Sequence, residues 1–221
     1  MTYKAIVIGA TGAVGTALVR ELLASDQCTG VVIALRRAVD TFGTPEKLTT
    51  TLVDMDHLER DITAAAAGCD AAFCTMGVGQ PTKVPKDELW RVDVEYAAAF
   101  ARGCRAAGVR SISLLSSVGA KLGAKAHYFH VKGSAEKAVT DPGFDRVSLF
   151  RPSVIATPEA RYGTGDRILQ WTMPKMSWML PKRLHEVRVD ELARAMRLNA
   201  ERPASAKIEV LHYSDFVAPS A

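Results

Sequence analysis

Three glycines in a short loop near the N-terminus constrain the fold of this chain more than any other feature. Gly9, Gly12 and Gly15 follow an apolar, β-branched run at residues 3–8, which predicts a parallel strand buried on both faces. Apolar residues then recur at helical spacing over residues 13–24, so a helix is predicted to begin directly out of the loop. A strand, a glycine turn and a helix in this order favour anion binding, because the free N–H groups and the positive end of the helix dipole face the loop.

Strands and helices are predicted to alternate along most of the chain. Further strands are predicted at residues 31–35, 48–53, 71–75, 109–115, 146–150 and 208–211, and further helices at residues 87–107, 128–139 and 189–198. Asp56 and Glu59 resemble a capping box in front of an alanine-rich helix that ends at Gly68. The alternation predicts an α/β fold with a doubly wound, mostly parallel sheet and helices on both faces. At 221 residues and 48% hydrophobic content, we expect one domain over residues 1–221, with residues 152–200 as a small cap or lid.

The glycine spacing predicts a dinucleotide site. One glycine permits the tight turn, a second lets the backbone approach a pyrophosphate, and a third lets the helix pack on the strand. Arg36 and Arg37 lie about 20 residues past the loop, where an Asp or Glu would bond the ribose 2′-hydroxyl of NAD. Because a guanidinium pairs instead with a 2′-phosphate, we expect NADP(H) to be preferred over NAD(H). The alternative is that both arginines are solvated on a surface turn.

A tyrosine, a lysine and two serines form a candidate reaction centre. Tyr128 and Lys132 stand four residues apart on a predicted helix and therefore share one face. A lysine ammonium close to a phenol favours the phenolate, and hydride transfer to a carbonyl needs such a proton donor. Ser116 and Ser117 follow the preceding strand, where a hydroxyl can stabilise negative charge on the carbonyl oxygen. The alternative for Tyr128 and Lys132 is a surface tyrosine beside a solvated lysine.

These motifs together resemble a known superfamily. The glycine loop, the serine pair, the Tyr-x-x-x-Lys spacing and Arg151-Pro152 are similar to the short-chain dehydrogenase/reductase superfamily over residues 1–155. The glycine spacing resembles the atypical branch. The segments LLSSVGA at residues 114–120 and YFHVKG at residues 128–133 resemble its Tat-interacting-protein-like group in particular. The resemblance implies NADP(H) binding by a single Rossmann domain.

The same resemblance implies roles for individual residues. Ser117 corresponds to the carbonyl partner, with Ser116 as the alternative, Tyr128 to the proton donor or acceptor, and Lys132 to the ribose anchor that modulates the tyrosine. Asp54 would meet the adenine. The expected cofactor-binding residues are Gly9, Thr11, Gly12, Ala13, Val14, Gly15, Arg36, Arg37, Asp54, Thr75, Met76, Gly77, Ser116, Lys132, Pro152 and Val154.

Three functions are compatible with these residues. The first is an NADP(H)-dependent oxidoreductase that acts on a small carbonyl or alcohol. The second is an NADPH-binding sensor or regulatory protein without catalysis, although such a protein has no chemical need for Ser117, Tyr128 and Lys132. The third is an enzyme similar to sugar-nucleotide epimerases. A bulky nucleotide-sugar pocket is disfavoured, because only 69 of the 221 residues follow Pro152.

Composition and charge exclude several partners. The net charge of +4 is spread along the chain, so nucleic-acid binding is not expected. The cysteines form no C-x-x-C pair; they are Cys28, Cys69, Cys74 and Cys104. We therefore expect no metal site, reduced thiols and a cytoplasmic location. No apolar run reaches membrane-spanning length, so membrane insertion is not expected. The Trp- and Met-rich residues 168–184 favour packing or a lid, then a homodimer contact, and last a membrane surface.

Overall fold

Strands and helices alternate over most of the described residues of the computed structural model, which are 2–156 and 185–217. The strands are β1 (Tyr3–Ile8), β2 (Cys28–Leu35), β3 (Leu48–Leu52), β4 (Ala71–Cys74), β5 (Ser111–Leu115), β6 (Arg146–Phe150), β7 (Ile155–Ala156), β8 (Val187–Arg188) and β9 (Ile208–Leu211). The helices are α1 (Ala13–Ala24), α2 (Leu58–Ala65), α3 (Lys86–Trp90), α4 (Tyr96–Ala106), α5 (His127–Thr140), α6 (Val189–Glu201) and α7 (Tyr213–Val217). This order confirms the predicted α/β class.

Seven strands form one sheet in the order β3-β2-β1-β4-β5-β6-β9. Every pair of neighbours in this sheet is parallel, which confirms the doubly wound topology. The chain moves outward in one direction from β1 to β3 and in the other from β4 to β9. Ligands bind in such sheets at the carboxyl ends of the strands where the order reverses, which here lies between β1 and β4.

Helices cover both faces of the sheet. Successive residues of a strand point to opposite faces, and Ile6 and Val7 of β1 are both fully buried. Ile6 belongs to the same apolar cluster as Phe100 of α4. Val7 belongs to the opposite cluster, with Leu18 of α1 and Met196 of α6. The central strands are therefore enclosed on both faces, and the loops at their carboxyl ends follow directly from buried, well-packed strand residues.

Most predicted bounds are confirmed within a few residues. β1, α1, β6 and β9 have their predicted bounds, whereas β2 begins three residues earlier, at Cys28. β5 begins later than predicted because Val109 N–H donates to the carbonyl of Cys104 at 3.0 Å and so closes the end of α4. The two-residue strands β7 and β8 and the short helix α7 were not predicted, since segments of this length carry no periodicity.

The capping box predicted at Asp56 and Glu59 is wrong. Asp54 caps a 3₁₀ turn at Met55–His57, and its carboxylate accepts the N–H of Asp56 at 3.0 Å. Glu59 instead forms an ion pair with Arg102 at 2.7 Å. Asp56 lies inside this turn, and α2 begins after it with His57 as an N-cap that makes no side-chain hydrogen bond, so the predicted cap does not form.

The long helix predicted over residues 87–107 extends from Lys86 to Ala106 but is not uniform. Its middle, Arg91–Glu95, is a π-helical turn between α3 and α4. Most of the expected cap, including the Trp- and Met-rich residues 168–184, lies outside the described residues. Within the described part, the four cysteines are buried free thiols, as expected.

Candidate active site

A cleft of about 470 Å³ opens at the carboxyl ends of the central strands. The residues that line it are Ile8, Gly9, Ala10, Thr11, Gly12, Ala34, Leu35, Arg36, Val53, Met55, Thr75, Met76, Gly77, Glu88, Val92 and Tyr96. The glycine loop forms one wall, the segment after β4 a second, and the end of β2 a third. Seven of the residues expected to bind the cofactor meet in this cleft: Gly9, Thr11, Gly12, Arg36, Thr75, Met76 and Gly77.

The three glycines of the loop meet different requirements. Gly9 has a φ of 82°, and a Cβ there would lie 2.5 Å from the amide nitrogen of Met76. A Cβ on Gly15 would lie 2.1 Å from the carbonyl oxygen of Gly9. A Cβ on Gly12 would meet only that oxygen, at 3.3 Å. Gly9 and Gly15 are therefore required for packing, whereas Gly12 leaves its side of the cleft open.

The start of α1 suits an anion. Gly12 is the N-cap and supplies no side-chain cap, and the first turn contains no acidic residue. The first N–H groups of a helix have no partner within the helix and carry its positive dipole end. The residues present therefore fit a pyrophosphate. Val14 and Gly15 are buried and, like Ala13, do not line the cleft, so they support the loop from behind.

The two arginines after β2 have different positions. Arg36 lines the cleft, whereas Arg37 does not, although both side chains are exposed. Glu88 of α3 lines the same cleft. Sequence reasoning missed this carboxylate, because it lies far along the chain from Arg36 and belongs to no local motif.

Asp54 is engaged in local bonds. Its carboxylate accepts hydrogen bonds from Nδ1 of His57 at 2.8 Å and from the N–H of Asp56. These bonds, the one from His57 first, hold the pKa of Asp54 below its usual value. Val53 and Met55 line the cleft, whereas Asp54 itself does not. An adenine contact by Asp54 would compete with its capping of the turn.

Tyr128 and Lys132 come together on α5 as predicted. Lys132 Nζ lies 5.8 Å from the centroid of the Tyr128 ring. A Cβ added to Gly77 would lie 3.4 Å from the same nitrogen, so the ammonium is next to the cleft wall. Lys132 also forms a buried ion pair with Asp93, which no sequence motif indicated. Burial acts to lower the pKa of Lys132, but Asp93 and then Tyr128 raise it above its ordinary value.

The two serines after β5 differ in their bonding. Ser116 Oγ donates to Oε1 of Glu136 at 2.5 Å, while Ser117 Oγ reaches only the carbonyl of the next residue, at 3.2 Å. Arg151 also donates to the Glu136 carboxylate, at 2.8 and 2.5 Å. The hydroxyl of Ser116 is therefore held in a buried hydrogen-bond network. The hydroxyl of Ser117 has only a longer bond to a neighbouring carbonyl and is the more available of the two.

Pro152 and Val154 contribute through their backbones. The carbonyl of Pro152 accepts the N–H of Val118 at 2.9 Å, and that of Val154 accepts the N–H of Val187 at 3.0 Å. Neither residue lines the cleft. The first bond fixes the loop next to Ser117, and the second joins β7 to β8.

The parallel sheet and the glycine cleft at its centre define a Rossmann fold of the class that binds dinucleotides. A family model described as NAD(P)H-binding matches residues 9–177. The chain belongs to this NAD(P)H-binding family.

Curated relatives support the same conclusion. The rat protein HTATIP2 is 31% identical over 210 residues, which cover 93% of this chain and 84% of the relative. Protein FMP52, described as mitochondrial, from Eremothecium gossypii is 24% identical over 152 residues, covering 69% of this chain and 66% of that protein. The resemblance predicted from the motifs is confirmed by these relatives.

Solved structures share the fold at lower identity. MoeE5 in complex with UDP-glucose and NAD has a TM-score of 0.71 and 20% identity, with 94% of this chain and 75% of that chain covered. Vestitone reductase from alfalfa, Medicago sativa, has a TM-score of 0.68 and 22% identity, with 96% and 77% covered. At this level of identity the likeness concerns the fold.

Two further findings concern residues 2–156 and 185–217. No three side chains of His, Cys, Asp or Glu within these ranges are grouped so that they could hold a metal ion. No helix within them combines the length and apolar character needed to cross a membrane.

Proposed function

We propose that this chain is an NADP(H)-dependent oxidoreductase that acts on a small carbonyl or alcohol. The observation that carries the proposal is the arrangement on α5, where Lys132 Nζ lies 5.8 Å from the Tyr128 ring centroid and beside Gly77 of the cleft. A pure binding protein has no chemical need for a tyrosine and a lysine at this position. When bound, the cofactor supplies or accepts hydride at its nicotinamide.

In this proposal each group has one task. The Tyr128 hydroxyl gives a proton to the carbonyl oxygen, or takes it from the alcohol. Ser117 Oγ donates a hydrogen bond to the same oxygen, while Ser116 remains bound to Glu136. Lys132 donates to the ribose. The glycine loop and the first turn of α1 bind the pyrophosphate.

Replacing Tyr128 by phenylalanine tests the catalytic proposal. The variant loses the proton donor, so turnover of a panel of aldehydes and ketones with NADPH is expected to fall by about 10²- to 10⁴-fold. NADPH affinity, followed by fluorescence, should stay near that of the wild type. Tyr213→Phe is the matched control, because Tyr213 lies on α7 and does not line the cleft.

Undiminished turnover in Tyr128→Phe would remove this tyrosine from the mechanism. Absence of turnover in the wild type on every substrate, with NADPH bound, would favour the sensor instead. These outcomes are separable, since binding and turnover are measured on the same samples.

Replacing Arg36 by alanine tests the cofactor preference. A charge-assisted pair with the 2′-phosphate contributes about 1.5–3 kcal/mol, so NADPH affinity should fall by about 10- to 150-fold. NADH affinity should change little, because NADH has no 2′-phosphate. Arg37→Ala is the matched control and should have the smaller effect, since Arg37 does not line the cleft. A wild type that prefers NADH, or an equal loss for both cofactors, would contradict the preference.

Three broader expectations belong to the same proposal. The single domain over residues 1–221 and a homodimer contact remain part of the proposal. Residues 157–184 of the expected cap lie outside the described residues, whereas α6, within the expected bounds 152–200, packs on the sheet and is not part of a cap. The protein acts in the cytoplasm, for which the free thiols are the support, although some fungal relatives are described as mitochondrial. Light scattering at several concentrations tests the dimer, and fractionation of cells tests the location.

A further inference from the structure

Two opposite charges line the cleft. Among the described residues that form its walls, only Arg36 and Glu88 carry a formal charge. Arg36 follows the end of β2, whereas Glu88 belongs to α3. Both side chains are exposed, and within the described part of the chain neither forms an ion pair. Each is therefore available to the other, or to a charged group of a ligand.

The helical run after β4 directs Glu88 to the cleft. Glu88, Val92 and Tyr96 follow one another at intervals of four residues, a spacing that places side chains on one face of a helix. All three line the cleft, although Val92 lies in the π-helical turn and Tyr96 begins α4. The same helical face thus supplies two further residues of this wall, with the carboxylate at its N-terminal end.

A carboxylate at this place opposes the binding of an anion by Arg36. A guanidinium pairs with a carboxylate and with a phosphate through the same planar arrangement of donors. Glu88 and a phosphate are therefore competing partners of Arg36. NADPH presents a 2′-phosphate, whereas NADH presents an uncharged hydroxyl at that position. The competition consequently concerns NADPH and leaves NADH unaffected.

We propose that Glu88 is a specificity-determining residue that competes with the cofactor 2′-phosphate for Arg36 and so narrows the preference for NADPH over NADH. The proposal rests on the cofactor preference proposed above. In the empty cleft, Glu88 is the available counter-charge of Arg36. When NADPH binds, the guanidinium exchanges this carboxylate for the phosphate, and part of the gain from the new pair is offset by the loss of the old one.

The test compares Glu88→Gln with Asp87→Asn in fluorescence titrations with NADPH and with NADH. Glutamine keeps the shape of Glu88 and removes its charge, so NADPH affinity should rise by about three- to fivefold, while NADH affinity should stay the same. Asp87 is the matched control, because it is acidic in the same first turn of α3 and exposed but does not line the cleft. Asp87→Asn should leave both affinities unchanged.

A second comparison asks whether Glu88 acts through Arg36. In Arg36→Ala the carboxylate has nothing to compete for, so adding Glu88→Gln should leave NADPH affinity as it is in the single variant. A rise that persists without Arg36 would indicate direct repulsion of the cofactor phosphates and would overturn the proposal. An equal rise for NADH, or a rise of the same size in Asp87→Asn, would overturn it as well.

Unchanged NADPH affinity in Glu88→Gln would also contradict the proposed competition. All these affinities are measured without a carbonyl or alcohol substrate. A protein that binds NADPH and turns over no substrate would therefore contradict the proposed oxidoreductase and not the proposal for Glu88. A wild type that binds no NADPH would contradict both.

Discussion

Gly12→Ala should weaken NADPH binding with little loss of stability, whereas Gly15→Ala should lower the free energy of unfolding. Gly12 has a φ of −72°, which any residue adopts, and its added Cβ would meet only the carbonyl oxygen of Gly9, at 3.3 Å. The remaining cost is that of alanine at an N-cap, about 1 kcal/mol or less. The new methyl group, however, stands where the backbone must approach a phosphate. Loss of one charge-assisted bond there, about 1.5–3 kcal/mol, weakens NADPH binding by about 10- to 150-fold.

At Gly15 the main expected loss is of stability. The added Cβ would lie 2.1 Å from the Gly9 carbonyl oxygen and 2.7 Å from Oγ1 of Thr75, and backbone atoms move only at a cost. Overpacking of this kind costs about 1–3 kcal/mol, so the free energy of unfolding should fall by that amount. Both quantities can be measured on each variant, by urea unfolding and by NADPH fluorescence titration.

Gly30→Ala provides the matched control for both variants. A Cβ at Gly30 would meet only the flexible side chain of Lys4, at 3.3 Å, and the residue lies on β2 away from the carboxyl end. Neither stability nor NADPH affinity should change appreciably. The division of tasks in the loop would be refuted by a Gly12→Ala protein that binds NADPH like the wild type. A Gly15→Ala protein of undiminished stability would refute it equally.

Two further predictions concern buried hydroxyls and a buried acid. Ser116→Ala removes a hydrogen bond to the buried Glu136 carboxylate and should lower the free energy of unfolding by about 1–3 kcal/mol. Ser117→Ala should leave stability unchanged and lower turnover by about 10²- to 10³-fold. The reverse pattern in urea unfolding and turnover would contradict the assignment. Burial acts to raise the pKa of Glu209, but bonds from Ser205 and Arg146 lower it to about 2. Its stabilisation, about 3 kcal/mol, is therefore complete above the unfolded-state pKa of about 4.3 and is lost as pH falls through the folded value. Between about pH 6 and about pH 3, the free energy of unfolding should fall more steeply with decreasing pH in the wild type than in Glu209→Gln. Equal slopes of unfolding free energy against pH would contradict the prediction.

Local features were predictable from the sequence. The glycine loop has apolar strand residues on one side and helical periodicity on the other, so β1 and α1 could be placed to the residue. The four-residue spacing of Tyr128 and Lys132 fixes their common face on any helix. These predictions depend on neighbours in the sequence, and the structure reproduces them for that reason.

Contacts between distant segments were not predictable in the same way. Asp93 and Lys132 are separated by 39 residues, and nothing in the residues near either indicates the other. The π-helical turn at Arg91–Glu95 has the same apolar pattern as a regular helix. The capping role of Asp54 was missed because Asp56 offers the same chemistry two residues later, and only the backbone decides between them.

The Glu136 carboxylate joins three segments around the candidate site. It binds the end of β5 through Ser116 and the exit of β6 through Arg151, while its own helix carries Tyr128 and Lys132. Three segments thus share one anchor that lies before the chain enters residues 157–184. Under the function proposed above, substitutions that leave this anchor intact can alter other parts of the chain while Tyr128 and Lys132 keep their relative positions. The proposed chemistry would then stay constant while the choice of substrate varies.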